Sequence, residues 1–190
     1  MGDAALPSQR KILFAALFAC TTLLTIPAHA AAQQTASALF AHAKAEAQQQ
    51  HKNVLAVFSA SWCGPCHLYE RFLEDPQMKP LTDKAFIVVR FDVGERPGDP
   101  HHADTPGAAA LRSSLGATQE PGFPFIVITG ADGKPLVNSY RNGDASDNIG
   151  YPVLPQEIDW YIEMLKRAAP QLSAADLSAT RAWLQQHAPR

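Results

Sequence analysis

Val54-Leu55-Ala56-Val57-Phe58-Ser59-Ala60-Ser61-Trp62-Cys63-Gly64-Pro65-Cys66 decides how this chain is read. Its first five residues form a nearly continuous apolar run, the pattern of a central strand buried on both faces of a sheet. Two cysteines spaced Cys-x-x-Cys follow at once. Beyond them Leu68, Tyr69, Phe72 and Leu73 recur at helical spacing until Asp75-Pro76 stops the pattern, so a helix is predicted from Cys63 to about Glu74. A cysteine in the first turn of such a helix lies near unpaired backbone N–H groups and the positive end of the dipole, which favours thiolate over thiol. Free cysteine titrates near 8.5, whereas cysteines at such helix starts range over roughly 3.5 to 7.5. Cys63 is therefore expected to be an exposed nucleophile, with Cys66 placed to resolve the mixed disulfide that Cys63 makes with a partner.

Upstream, Ala36 to Gln50 reads as an amphipathic helix with Leu39, Phe40, Ala43 and Ala47 on one stripe, ended by His51-Lys52-Asn53. Downstream, Ala85 to Phe91 is a second apolar strand and residues 93–106 an exposed loop rich in Gly, Pro, Asp and His. A helix over about 107–115 follows. Phe125 to Ile128 and Leu136 to Tyr140 flank Ala131-Asp132-Gly133-Lys134, which predicts an antiparallel hairpin. Pro155 to Arg167 reads as a helix with proline in its first turn, and Ser173 with Asp176 three residues on opens a last one through Leu177, Trp183 and Leu184. The order predicts an α/β fold: a mixed central sheet with helices on both faces.

The segment Phe58 to Cys66, together with Phe123-Pro124-Phe125, resembles the active-site segments of the thioredoxin superfamily, and the resemblance covers most of the span from Gln33 to Arg167. It implies a thioredoxin fold, with the C-terminal helix as an addition. It also implies that Cys63 and Cys66 are catalytic, that Pro124 is a cis-proline, and that Trp62, Gly64, Pro65, Phe123 and Pro124 bind the incoming peptide. Gly-Pro between the cysteines resembles the reducing members, whose potentials lie near −270 mV, more than the oxidants near −120 mV. Two positions depart from the family pattern. Its buried Asp six residues before the first cysteine is Val57 here, and its Lys partner on the next strand aligns with Val88. Glu70, one turn after Cys66, stands as a substitute proton relay, or as a solvated helix acid.

The 190 residues suit one domain, and 46% hydrophobic with 18% charged residues is a globular composition. A net charge of −2 gives no field for nucleic acid. Residues 1–30 read as a signal peptide: Arg10-Lys11, an apolar run from Ile12 to Ile26, and Ala28-His29-Ala30 as a cleavage site. That leaves 31–190 as the thioredoxin-like domain, with 171–190 a C-terminal helical extension, exported to the periplasm. An uncleaved anchor is the competing reading, although a span needs about 20 apolar residues and this run stops at Pro27. A lipoprotein reading of Cys20 would leave an apolar stretch after the acylated residue. Cleavage removes Cys20, one of three cysteines, so the remaining two pair only with each other or with a partner. Cysteine-containing client proteins and a membrane thiol donor are the expected partners, and no cofactor is expected. His101-His102-x-Asp104 lacks further ligands and is read as a polar loop, not a metal site. A non-catalytic binding module with a structural disulfide is the alternative function.

Overall fold

The computed structural model describes residues 1–2, 33–99, 102–118 and 122–189. Contacts divide the chain at Ala32, and the fold below is that of Gln33–Arg190. The expected signal peptide, its cleavage site and Cys20 lie outside the described residues, as does His101. Among the described residues no helix is long and apolar enough to cross a membrane.

Four strands, β1 (Asn53–Ser59), β2 (Phe86–Asp92), β3 (Phe125–Thr129) and β4 (Pro135–Asn138), form a sheet in the order β2-β1-β3-β4. β1 and β2 run parallel, with Val57 opposite Arg90 and Ser59 opposite Asp92. The pairs β1–β3 and β3–β4 are antiparallel, so the sheet is mixed as predicted. The last strand is shorter than the expected run to Tyr140. It ends at Asn138, after which Tyr140 makes an isolated bridge to Asn148.

Among the described residues six α-helices cover this sheet: α1 (Ala36–Gln50), α2 (Gly64–Glu74), α3 (Lys79–Ala85), α4 (Ala108–Ser114), α5 (Pro155–Ala168) and α6 (Ala174–Gln186). Alternation along the strands sends their side chains to two clusters. Leu55, Val57, Ile126 and Ile128 join Tyr69 and Phe72 of α2, Tyr161 of α5 and Trp183 of α6. Val54, Ala56, Phe58, Phe91, Phe125 and Val127 join Phe40, Ala43 and Ala47 of α1 and Ala108 of α4. The predicted cap of α6 is present, with the Ser173 hydroxyl accepting from the Asp176 N–H and the Asp176 carboxylate accepting from the Ser173 N–H.

One helix was not expected. α3 starts with Pro80 in its first turn and carries a Lys79–Asp83 pair at i,i+4, but it buries only Thr82 and Ala85. Seven residues with two inward positions leave no readable periodicity.

Candidate functional site

β1 delivers the chain to a turn at Ala60–Trp62, and α2 begins directly after it. Cys63 is the N-cap of α2: its N–H donates to the Ala60 carbonyl at 3.0 Å, and its sulfur accepts from the Cys66 N–H at 3.2 Å. Pro65 fits the first turn, where its missing N–H leaves no intrahelical bond unmade. Cys63 and Cys66 are joined as a disulfide, with their Cα atoms 5.2 Å apart. The predicted geometry of a sulfur at a helix N-terminus is therefore present.

The predicted exposure of that sulfur is not. Cys63 is 4% exposed and Cys66 1%. Phe123 packs against the cluster formed by Ala60, Cys63 and Cys66, and the Trp62 ring meets Phe123 edge-on, with centroids 5.9 Å apart. Gly64, Pro65 and Trp62 lie at the surface, Trp62 at 46% exposure. The Phe123–Pro124 peptide bond is cis, and Phe123 adjoins the cysteines, so the chain brings the expected peptide-binding residues together.

Two supports for this arrangement were not foreseen. The Asn148 side-chain amide donates to the carbonyls of Gly122 and Pro124 at 2.7 and 3.2 Å. Gly150, at φ +51°, lies so close that a Cβ there would meet the Phe123 carbonyl oxygen at 3.3 Å. The segment Asn148 to Pro152 reads from sequence only as a turn. Its signal was an Asn two residues before a Gly, a pairing that fits a tight turn but says nothing of what the turn touches.

The second support lies on the loop after β2. The Glu95 carboxylate accepts from the Ser61 N–H and the Ser61 hydroxyl, each at 2.6 Å, and the Gly94 carbonyl accepts from the Trp62 indole at 2.9 Å. Asp104 in turn accepts from the Glu95 N–H at 2.8 Å. The Ser61 carbonyl accepts from His67 Nε2 at 2.8 Å, and His67 Nδ1 lies 3.4 Å from Glu70 Oε2. Glu70, the acid singled out from sequence, thus meets His67; among the described residues no hydrogen bond joins it to either sulfur. The described residues of the 93–106 segment lie outside helix and strand, as expected of a loop, and Gly94 and Glu95 grip the turn before Cys63.

Across the parallel pair Arg90 stands opposite Val57, and its guanidinium donates to Glu74 at 2.7 Å. At the strand end Asp92 is held above the usual carboxylate range, first by burial and then by the nearby Glu95 and Glu70 carboxylates. Among the described residues no group of three or more His, Cys, Asp and Glu side chains is placed to hold a metal ion.

A thioredoxin-like family model matches residues 35–131, which span α1, the cysteine motif, β2 and the first strand of the hairpin. The chain belongs to the thioredoxin-like family. No curated protein matches this thioredoxin-like chain. Among solved structures, a disulphide isomerase from Xylella fastidiosa Temecula1 is 22% identical, with a TM-score of 0.48 over 86% of this chain and 98% of that one. The C-terminal domain of Neisseria meningitidis DsbD, in its oxidised form, is 23% identical, with a TM-score of 0.40 over 70% of this chain and 99% of that one. A thioredoxin-fold protein from Helicobacter pylori is 15% identical, with a TM-score of 0.41 over 71% and 83%.

Proposed function

We propose that this thioredoxin-like chain is an exported protein thiol–disulfide oxidoreductase that works as a reductase. One observation carries the reading: Cys63 caps the helix it begins, bonded to Cys66 and packed against Phe123, the residue before the cis-proline Pro124. In the reduced chain the Cys63 thiolate attacks a client disulfide, forming a mixed disulfide and releasing one client thiolate, which takes up a proton. The Cys66 thiolate then attacks the Cys63 sulfur of that mixed disulfide, releasing the second client thiolate. The client gains two electrons and the chain returns to its disulfide. Trp62, Gly64, Pro65, Phe123 and Pro124 form the docking surface, and Glu70 is the proposed proton relay, with His67 as its neighbour. Recharging in an oxidising compartment falls to a membrane thiol donor, consistent with residues 1–30 acting as an export signal.

A second reading has its own support. A Cys63 that is 4% exposed, and Val57 in place of the family's acid, suit a binding module whose disulfide is structural. Insulin reduction in the presence of dithiothreitol separates the two. The wild-type 31–190 chain is expected to precipitate insulin chains well above background and Cys63→Ala to fall to background; equal rates would leave only the binding module. A glutathione equilibrium giving a potential well below about −180 mV supports the reductase direction, and one near about −120 mV overturns it.

A further inference from the structure

Arg112 lies on α4, outside every part of the site described so far. It is 9% exposed, and its Nε is buried with no hydrogen-bond partner. Among the described residues no carboxylate pairs with its guanidinium, and the nearest influences are the Asp104 carboxylate and the Tyr140 hydroxyl. The Asp104 carboxylate is itself occupied by the Glu95 N–H. What Arg112 does touch is Phe123: its guanidinium carbon lies 5.4 Å from the ring centroid.

Taking a charge out of water without a partner is unfavourable, and a cation–π contact offsets only part of that cost. Burial accordingly drags the guanidinium below its ordinary range. A methionine of similar length would fill the same volume without that cost. Charge at this position therefore calls for a negative group that appears only in part of the working cycle. One such group is available. Phe123 carries the guanidinium of Arg112 over its ring and packs against the cluster of Ala60, Cys63 and Cys66. The disulfide is neutral, but its reduction by two electrons and one proton leaves a thiolate and a thiol.

We propose that Arg112 is a positioning residue of the cysteine pair, whose buried charge, held on Phe123, stabilises the Cys63 thiolate. The inference rests on the thiol-exchange reading above, and it adds a source of charge besides the α2 N-terminus. Its sign is fixed. A cation that favours the thiolate favours the reduced form, so removing it raises the Cys63 pKa and makes the potential more negative.

The test uses the 31–190 chain with Arg112→Met and Arg112→Lys. Thiolate absorbance near 240 nm follows the titration of Cys63. The equilibrium of protein disulfide with two glutathiones, giving protein dithiol and one glutathione disulfide, gives the potential. Arg112→Met is expected to raise the Cys63 pKa by about half a unit, a roughly three-fold change, and to lower the dithiol-to-disulfide ratio about three-fold, or ~14 mV. Arg112→Lys, which keeps the charge, stays near wild type. Met and Lys variants that shift alike, or a Met variant that does not shift, overturn the proposal, because packing on Phe123 alone would explain the first and nothing would remain to explain in the second. His67, Glu70, Asp92 and Glu95, the other ionisable groups around the pair, are unchanged in both variants.

A measurement on wild type does not depend on how the variants fold. The Arg112 side-chain Nε–H resonance is expected to move when the disulfide is reduced, and a resonance that stays in place overturns the proposal. Neither titration nor potential requires client turnover, so an inactive wild type that shows these shifts would sink the reductase reading and leave the charge coupling standing.

Discussion

Strand β2 presents two different chemistries. Ile87, Val89, Phe91 and, just past the strand, Val93 all belong to the cluster beneath α1 and α4, so that face is hydrocarbon from end to end. On the other face Phe86 and Val88 belong to the cluster beneath α2, α5 and α6, but Arg90 and Asp92 follow them as the strand nears the cysteine motif. The covering helices differ in the same sense. α1 buries three alanines, Ala36, Ala43 and Ala47, with one ring, Phe40, whereas the opposite layer is built mostly from rings, with Phe72 5.7 Å from Tyr161 and 5.3 Å from Trp183. One face is closed by a helix with small inward residues, the other by bulky rings, with Arg90 and Asp92 beyond them toward the cysteine motif.

Breaking the ring layer should cost most. Phe72→Ala removes a 2% exposed ring that touches Tyr69, Tyr161 and Trp183, and the expected loss is about 3–5 kcal/mol in urea unfolding. A loss below about 1 kcal/mol would mean that these rings do not hold the face together. The sealed face is probed in the opposite direction. Ala47 is fully buried, so Ala47→Leu forces α1 away from the sheet and should cost about 1–3 kcal/mol, whereas a neutral result would show slack under α1.

Much of this layout was legible because it is written in local pattern. β1 is a continuous apolar run, Asp75 ends α2 ahead of Pro76, and Asp132-Gly133 turns the hairpin with Gly133 at φ +88°. The cysteine motif needed only its spacing and the strand before it. What escaped depends on residues far apart in the chain. Phe123, which packs against the cysteine cluster, lies 60 residues beyond Cys63, and the grip on Ser61 comes from Glu95, 34 residues on. The cross-strand neighbour of Val57 was not legible for a different reason. Val88 and Arg90 are two residues apart and share a face, so alternation satisfies either register, and only the pairing itself puts Arg90 beside Val57.

Asp92 is where the charged face and the motif meet, and its effect should be the smallest of the three. Burial and the neighbouring Glu95 and Glu70 raise its pKa in the fold, so the native state keeps a proton that the unfolded chain releases near pH 3.9. Between that value and the raised native one the unfolded chain binds fewer protons, and stability falls as pH rises. Above both values the whole penalty is present; below both it vanishes. Asp92→Asn should therefore stabilise the fold at pH 7, by about 0.5 kcal/mol once solvent screening is allowed for, and change nothing at pH 3. The backbone bonds that tie this residue to Thr105 survive the substitution. Urea midpoints at the two pH values give the answer, and a variant less stable at pH 7 would show that the carboxylate is held by favourable contacts after all. A gain confined to neutral pH would mean that the sheet end under α2 holds a carboxylate whose neutral form the fold prefers, beside the cysteine motif, while the face of β2 toward α1 offers hydrocarbon alone.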